Sequence, residues 1–256
     1  MKDNACIGTA ARVTELGTIL GIWAHPDDEA YLSGGLMTTA RDLGSRVVCV
    51  TATRGELGTP DPLAWPPDRL AAERAVELAR SLEILGVAEH HWLDYRDGDC
   101  ATADAADAVS RLAELVDLVR PDTVLTFGPD GITGHPDHQT VGKWATAAFD
   151  RAATAGARLL YATFEERRAP RWGALNDSLG IFPPGYPVLT PGDRLAVDLV
   201  LDADVAACKV AALAAQETQT SALIAGMGIE VFTEWVSEEA FIERIPAQSP
   251  VTVRVG

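Results

Sequence analysis

Short apolar runs alternate with amphipathic helical stripes along the first 155 or so residues, and that rhythm leaves little room for anything but a parallel sheet wrapped in helices. Strand-like runs fall at about 18–24, 46–52 and 122–127, and helical patterns at about 29–43, 69–85, 103–119 and 138–155. In the second helical stretch Ala71, Ala75, Leu78, Leu82 and Leu85 recur at three- and four-residue steps, and Gly86 marks a stop. In the third, Ala105, Val109, Leu112, Leu115 and Val119 share a face, and Pro121 closes the helix. The expected fold is α/β, a Rossmann-like, doubly wound, mostly parallel sheet with helices on both faces. Further strands are expected near His91-Trp92-Leu93 and over 195–201, and one helix over 204–225. Between 165 and 193 the pattern breaks into a stretch containing Arg171-Trp172-Gly173 and Phe182-Pro183-Pro184-Gly185-Tyr186-Pro187, which reads as an irregular lid or binding loop. Residues 250–255 alternate as a short strand or an ordered tail would.

The chain has 256 residues, 47% of them hydrophobic, enough to build a substantial core in one domain over 1–256. Its formal charge of -16 and the lack of any Lys/Arg-dense run oppose binding to nucleic acid or anionic lipid. A small-molecule partner is expected instead, and a homo-oligomer is compatible with the composition. Cys6, Cys49, Cys100 and Cys208 are far apart, which favours neither a disulfide framework nor a thiolate metal site and suits a reducing compartment. With no signal peptide or membrane span at the N-terminus, a cytoplasmic location is expected.

Two polar clusters follow apolar runs. Ala24-His25-Pro26-Asp27-Asp28-Glu29 comes directly after Ile19-Leu20-Gly21-Ile22-Trp23, and His135-Pro136-Asp137-His138 comes after Val124-Leu125-Thr126-Phe127. In an α/β protein both would lie at the sheet edge where sites form. A hydrolytic zinc needs about three protein ligands and one open position. His25, Asp28 and His138 are the candidates, and the same donors accept ferrous iron. Asp27, adjacent to Asp28, should point elsewhere, which suggests that one carboxylate ligates while the other takes a proton from water. Stacking Asp27, Asp28 and Glu29 at one strand exit is unfavourable unless a helix N-terminus or a cation offsets it. His135 and His138 are three positions apart and face the same side of a helical turn. If His138 ligates, His135 is free to stabilise an oxyanion and protonate a leaving nitrogen, and Asp137 can orient an imidazole. His90 and His91 have no motif around them and read as a strand-edge pair.

These motifs resemble the PIG-L/LmbE-like family of zinc-dependent N-deacetylases, which includes the mycothiol- and bacillithiol-pathway sugar deacetylases. The resemblance continues through Thr53-Arg54-Gly55-Glu56, Arg74-Ala75-Val76-Glu77-Leu78, Leu85-Gly86-Val87 and Leu93-Asp94-Tyr95-Arg96-Asp97-Gly98, and is looser beyond about residue 150. It implies that His25, Asp28 and His138 bind zinc, that Asp27 is the general base, that His135 stabilises the oxyanion and that Asp137 supports an imidazole. It also implies that Glu56 and Arg74 help hold the substrate, with Asp97 a further candidate for lining the pocket. The implied reaction removes an acetyl or other acyl group from the amide nitrogen of an amino sugar such as an N-acetylglucosamine derivative. In the stretch 209–219 Gln216 stands where the family commonly has a histidine, and this bears on substrate choice. A zinc amidase of the same fold acting on thiol-sugar conjugates or antibiotic-like glycosides is the nearest rival. A dinucleotide-binding oxidoreductase is opposed by the lack of a Gly-x-Gly-x-x-Gly after the first strand. A noncatalytic metal protein would want a fourth protein ligand, and none is evident.

Overall fold

The computed structural model describes residues 13–245. Strands β1 (Ile19–Trp23), β2 (Val47–Thr53) and β4 (Thr123–Phe127) are buried at every position, as strands covered on both faces must be. With β3 (Glu89–Tyr95) and β5 (Arg158–Glu165) they run parallel in the order β3-β2-β1-β4-β5. Beyond β5 the sheet turns antiparallel: β8 (Glu238–Glu243) pairs with β5, and β7 (Val197–Val200) pairs with β8. The short β6 (Leu189–Thr190) adds to the end of β5. The sheet is mostly parallel and the class is α/β, as the alternation predicts.

From β1 the chain steps outward to β2 and β3, then returns past β1 to β4 and β5. Right-handed crossovers therefore put α1 (Asp28–Asp42) and α2 (Pro67–Leu85) on one face and α3 (Ala105–Val119) and α4 (Pro136–Ala152) on the other. The strand order reverses between β1 and β4, and a crevice opens at their carboxyl ends. Local chemistry sets the helix limits. In α2 Pro67 occupies the first turn and Gly86 closes the helix at φ 73°, while Asp104 caps α3 by accepting from the backbone N–H groups of Ala106 and Asp107.

Later elements depart from the expected pattern. The helix expected over 204–225 is two, α6 (Ala203–Ala214) and α7 (Glu217–Met227), because Gln216 leaves helical geometry at φ -99°, ψ 56°. The segment 165–193, expected to be irregular, contains α5 (Arg168–Leu179) as well as β6; Pro170 falls in the first turn of α5, where a missing N–H is tolerated. Helix α8 (Ile229–Val236) and strands β5 and β8 were not foreseen. The three glutamates of β8 hide it from a reading by hydrophobicity, yet it lies between two strands. The alternating residues 250–255 lie outside the described residues. Among the described residues no helix is long and apolar enough to cross a membrane.

A buried ion pair ties the antiparallel side of the sheet to α1. Lys209 of α6 and Glu239 of β8 are 2.6 Å apart with neither side chain exposed. Lys209 also donates to the Tyr31 carbonyl, and Glu239 accepts from the Gly35 and Leu36 N–H groups. The pair thus engages both ends of one i, i+4 step of α1. Gly35 also lets Leu201 pack close against α1, because a Cβ there would collide with the Leu201 side chain.

Candidate active site

β1 ends at Trp23, and the chain turns through Ala24-His25-Pro26 before α1 begins at Asp28. Asp27 occupies the N-cap at φ 103°, a conformation that costs a non-glycine residue about 1–3 kcal/mol. That twist separates the two carboxylates. Asp28 turns back, and its Oδ2 accepts the His25 N–H at 2.8 Å. At the end of β4 a helical turn, Gly131–Gly134, leads into α4 and delivers His138 from its first turn.

His25 Nδ1 lies 3.2 Å from His138 Nε2, His138 Nε2 lies 3.3 Å from Asp28 Oδ1, and His25 Nδ1 lies 3.6 Å from Asp28 Oδ2. A tetrahedral ion with bonds of about 2.0–2.1 Å needs ligand atoms roughly 3.3–3.4 Å apart, which the His25–His138 and His138–Asp28 Oδ1 distances approach, while the contact to His25 comes from the other Asp28 oxygen, Oδ2. Two imidazole nitrogens and a carboxylate oxygen suit zinc or ferrous iron.

The outer ring nitrogens are already engaged. His25 Nε2 faces Asp97 Oδ1 at 3.1 Å and Asp137 Oδ2 at 3.4 Å. Asp137 in turn accepts from the Gly98 and Cys100 N–H groups, and Asp97 Oδ2 accepts from the Leu57 N–H. His138 Nδ1 is 3.0 Å from the Gly131 carbonyl and 3.1 Å from Thr133 Oγ1, and Phe127 stacks on its ring. Carboxylates and carbonyls behind the imidazoles favour the tautomers whose outer nitrogens carry the proton and leave the inner nitrogens with lone pairs free to bind an ion. Two sets without Asp28, His25–His135–His138 and His25–Asp97–Asp137, bring possible ligand atoms within 4.8 Å of one another. In the second set Asp97 and Asp137 sit on the ring nitrogen opposite the His138 side, where orienting groups belong.

The charges in the cluster are strongly coupled to its burial. Burial by itself would lower the His25 pKa, but hydrogen bonds to Asp137, Asp28 and Asp97 overrule it and raise the value well above normal. Burial would likewise raise Asp28, yet the His138 and His25 imidazoles hold it down at about 2. Burial keeps His138 low, at about 4. Asp28, Asp97 and Asp137 crowded around one imidazole call for positive charge in their midst.

Asp27 stands apart from this set. Its carboxylate faces the cavity, 3.3 Å from Arg74 Nη2, and burial pushes it up to about 7 against the pull of the guanidinium. Arg74, 3% exposed, also donates to the Gly55 and Pro26 carbonyls. Gly55 is required here: its φ is 64°, and a Cβ would strike the guanidinium. Glu29, fully buried, accepts the Asp27 N–H at 2.9 Å. Behind it, Gln216 donates to Glu29 at 2.8 Å and to Ser81 at 3.1 Å, while Gln216 Oε1 is buried without a partner. The break between α6 and α7 is what turns Gln216 inward.

His135 caps α4, its Nδ1 accepting the Asp137 N–H at 3.2 Å. The proton of the neutral ring must then sit on Nε2. Arg74, Asp97 and His135 line the cavity together with His25, Asp27, Asp28 and His138. Glu56, expected at the substrate, is not on that wall: its carboxylate accepts the Asp97 N–H at 3.0 Å from behind. Ser81, Thr133 and Gln219 were not foreseen near the site. Ser81 left a trace in the sequence, a polar residue between Leu78 and Leu82 on the buried stripe of α2. His90 lies away from the cluster, bonded to Thr51 and edge-on to Trp92.

Both motifs fall inside a match to the PIG-L family, described as GlcNAc-PI de-N-acetylase, over residues 20–149, half of the chain. The chain belongs to the PIG-L family. A relative from Kineococcus radiotolerans, a 1D-myo-inositol 2-acetamido-2-deoxy-alpha-D-glucopyranoside deacetylase, is 38% identical over 184 residues, 61% of this chain. The match spans about half, 51%, of that protein's length. A relative of the same name from Mycobacterium sp. strain KMS is 32% identical over 79% of this PIG-L chain and 74% of its own. Among solved structures, the N,N'-diacetylchitobiose deacetylase from Pyrococcus horikoshii shares the fold with a TM-score of 0.64 and 21% identity, covering 95% of this chain and 91% of that one.

Proposed function

We propose that this PIG-L protein is a metal-dependent N-deacetylase that cleaves the amide of an N-acylated amino sugar. The observation that carries the reading is the convergence of His25 Nδ1, the Asp28 carboxylate and His138 Nε2 within 3.2–3.6 Å of one another, with Asp27 outside that set at the cavity beside Arg74. These three residues would hold the ion, zinc by their donor type. When bound, such an ion supplies Lewis acidity to the amide carbonyl and to water.

The chain's own groups do the rest. Asp27 takes a proton from the attacking water, and Arg74 holds its carboxylate in place. As the carbonyl oxygen gains charge, the Nε2–H of His135 donates to it. The proton on Asp27 passes to the nitrogen, the C–N bond breaks, and a free amine and a carboxylic acid leave. Asp97 and Asp137 hold the His25 ring, and Glu56 acts through the Asp97 backbone. Arg74 and Gln219 face the sugar. The substrates named for the Kineococcus and Mycobacterium relatives and for the Pyrococcus enzyme carry acetamido groups on sugars, which supports the same bond here. A cytoplasmic setting fits Cys49, Cys100 and Cys208, which are free.

Amine release from a panel of N-acetylglucosamine derivatives tests the reading. Release should cease when a chelator strips the protein and return with one equivalent of zinc. Tight NAD binding by a metal-free protein that releases no amine would overturn it.

A further inference from the structure

The cavity in front of the site, about 350 Å³, has the size of a small-molecule site, and its two ends have opposite chemistry. On the β2/β3 side of the strand-order reversal its wall carries Arg74, Asp97, Gln219 and the backbone of Gly58. On the β5/β8 side it is mostly carbon, from Ile132, Phe164, Ile181, Phe182 and Trp235, with Tyr31, Arg168 and Glu238 adding polar atoms among them. Several polar groups at that end are engaged within the protein, while Glu238 Oε2 is buried without a hydrogen-bond partner. Arg168 donates to the Trp235 and Glu238 carbonyls at 2.6 and 3.0 Å, the Trp235 indole donates to Asn176, and the Glu238 carboxylate faces Arg167 at 3.5 Å. Phe164 and Phe182 meet edge to face at 5.6 Å, which gives the end a firm aromatic wall.

The His25–Asp28–His138 cluster lies between the two ends, where the scissile amide must sit. A sugar ring with its hydroxyls matches the polar end, so the acyl group on the other side of the amide enters the apolar one. An acetyl group has a single methyl and leaves most of that carbon surface uncovered. We infer that the acyl group this chain removes is a medium-length apolar chain of roughly four to eight carbons, seated against Phe164, Ile181, Phe182 and Trp235. This rests on the N-deacetylase reading above and narrows its substrate class.

The test is a series of N-acetyl-, N-butanoyl-, N-hexanoyl- and N-octanoyl-glucosamine, with octyl 2-acetamido-2-deoxy-β-glucopyranoside as the arm that puts the same chain on the aglycone. Amine release is read as kcat/KM, and binding to the chelator-stripped protein is read by calorimetry. The expected result is a rise of about fourfold per added methylene until the apolar end is full, in both readouts. The octyl glycoside should gain nothing over its short counterpart. Ile181→Trp, which fills the end, should cut the octanoyl-to-acetyl ratio at least tenfold. A flat or falling series with acetyl released normally overturns the acyl assignment and leaves the deacetylase reading standing. A gain confined to the octyl glycoside overturns it too, by placing the apolar group on the sugar's far end. No amine from any amide overturns the deacetylase reading, and calorimetry then decides the apolar end separately: octanoyl binding no tighter than acetyl defeats it.

Discussion

Asp27→Asn retains its metal and loses about 10²–10⁴ of its amine-release rate. The substitution is nearly isosteric, and an amide oxygen can still accept from Arg74 Nη2, which sits 3.3 Å from the carboxylate. Asparagine also tolerates the φ of 103° better than most side chains, so the turn into α1 should survive. What disappears is the ability to take a proton. The loss should therefore fall on kcat, with metal content by elemental analysis equal to that of the parent. His138→Ala should fail differently, by losing the ion itself, since it removes one of three donors. Equal turnover by Asp27→Asn and the parent would remove Asp27 as the base.

Lys209→Ala destabilises the fold by about 3–5 kcal/mol, which for a chain of this size lowers the melting temperature by roughly 6–20 °C. The reason is the carboxylate left behind. Glu239 is completely buried against α1, and Lys209 is its ion-pair partner at 2.6 Å. Truncation also removes the donor to the Tyr31 carbonyl, one turn beyond Asp28. Lys209→Met refills most of the stem's volume but not its charge, and it should lose most of the same stability. Thermal melts of both variants decide the cause: a loss confined to alanine would mean that packing, not charge, is at stake.

The parallel half of the fold was legible because β1, β2 and β4 are buried on both faces and so read as unbroken apolar runs between helical stripes. The cluster was legible for a related reason. Each polar motif begins where such a run stops, and the strand order puts both stops at one crevice. The antiparallel side was not legible. β8 carries glutamates whose partners, Lys209 and Arg167 among them, come from elements distant in sequence. Nothing in the 209–219 stretch indicates that its helix breaks, yet the break is what brings Gln216 onto Glu29. Motif spacing alone did not show that Glu56 would bind the Asp97 N–H through Oε1 while its Oε2 stays buried without a partner.

The central claim is that His25, Asp28 and His138 share one ion. Anomalous diffraction at the zinc edge from crystals grown with stoichiometric zinc measures this directly. The expected result is a single strong peak about 2.0–2.2 Å from His25 Nδ1, an Asp28 oxygen and His138 Nε2, with Asp27 outside bonding distance. A peak bound through His25 Nε2 to Asp97 and Asp137, or no peak near His138, would contradict the account.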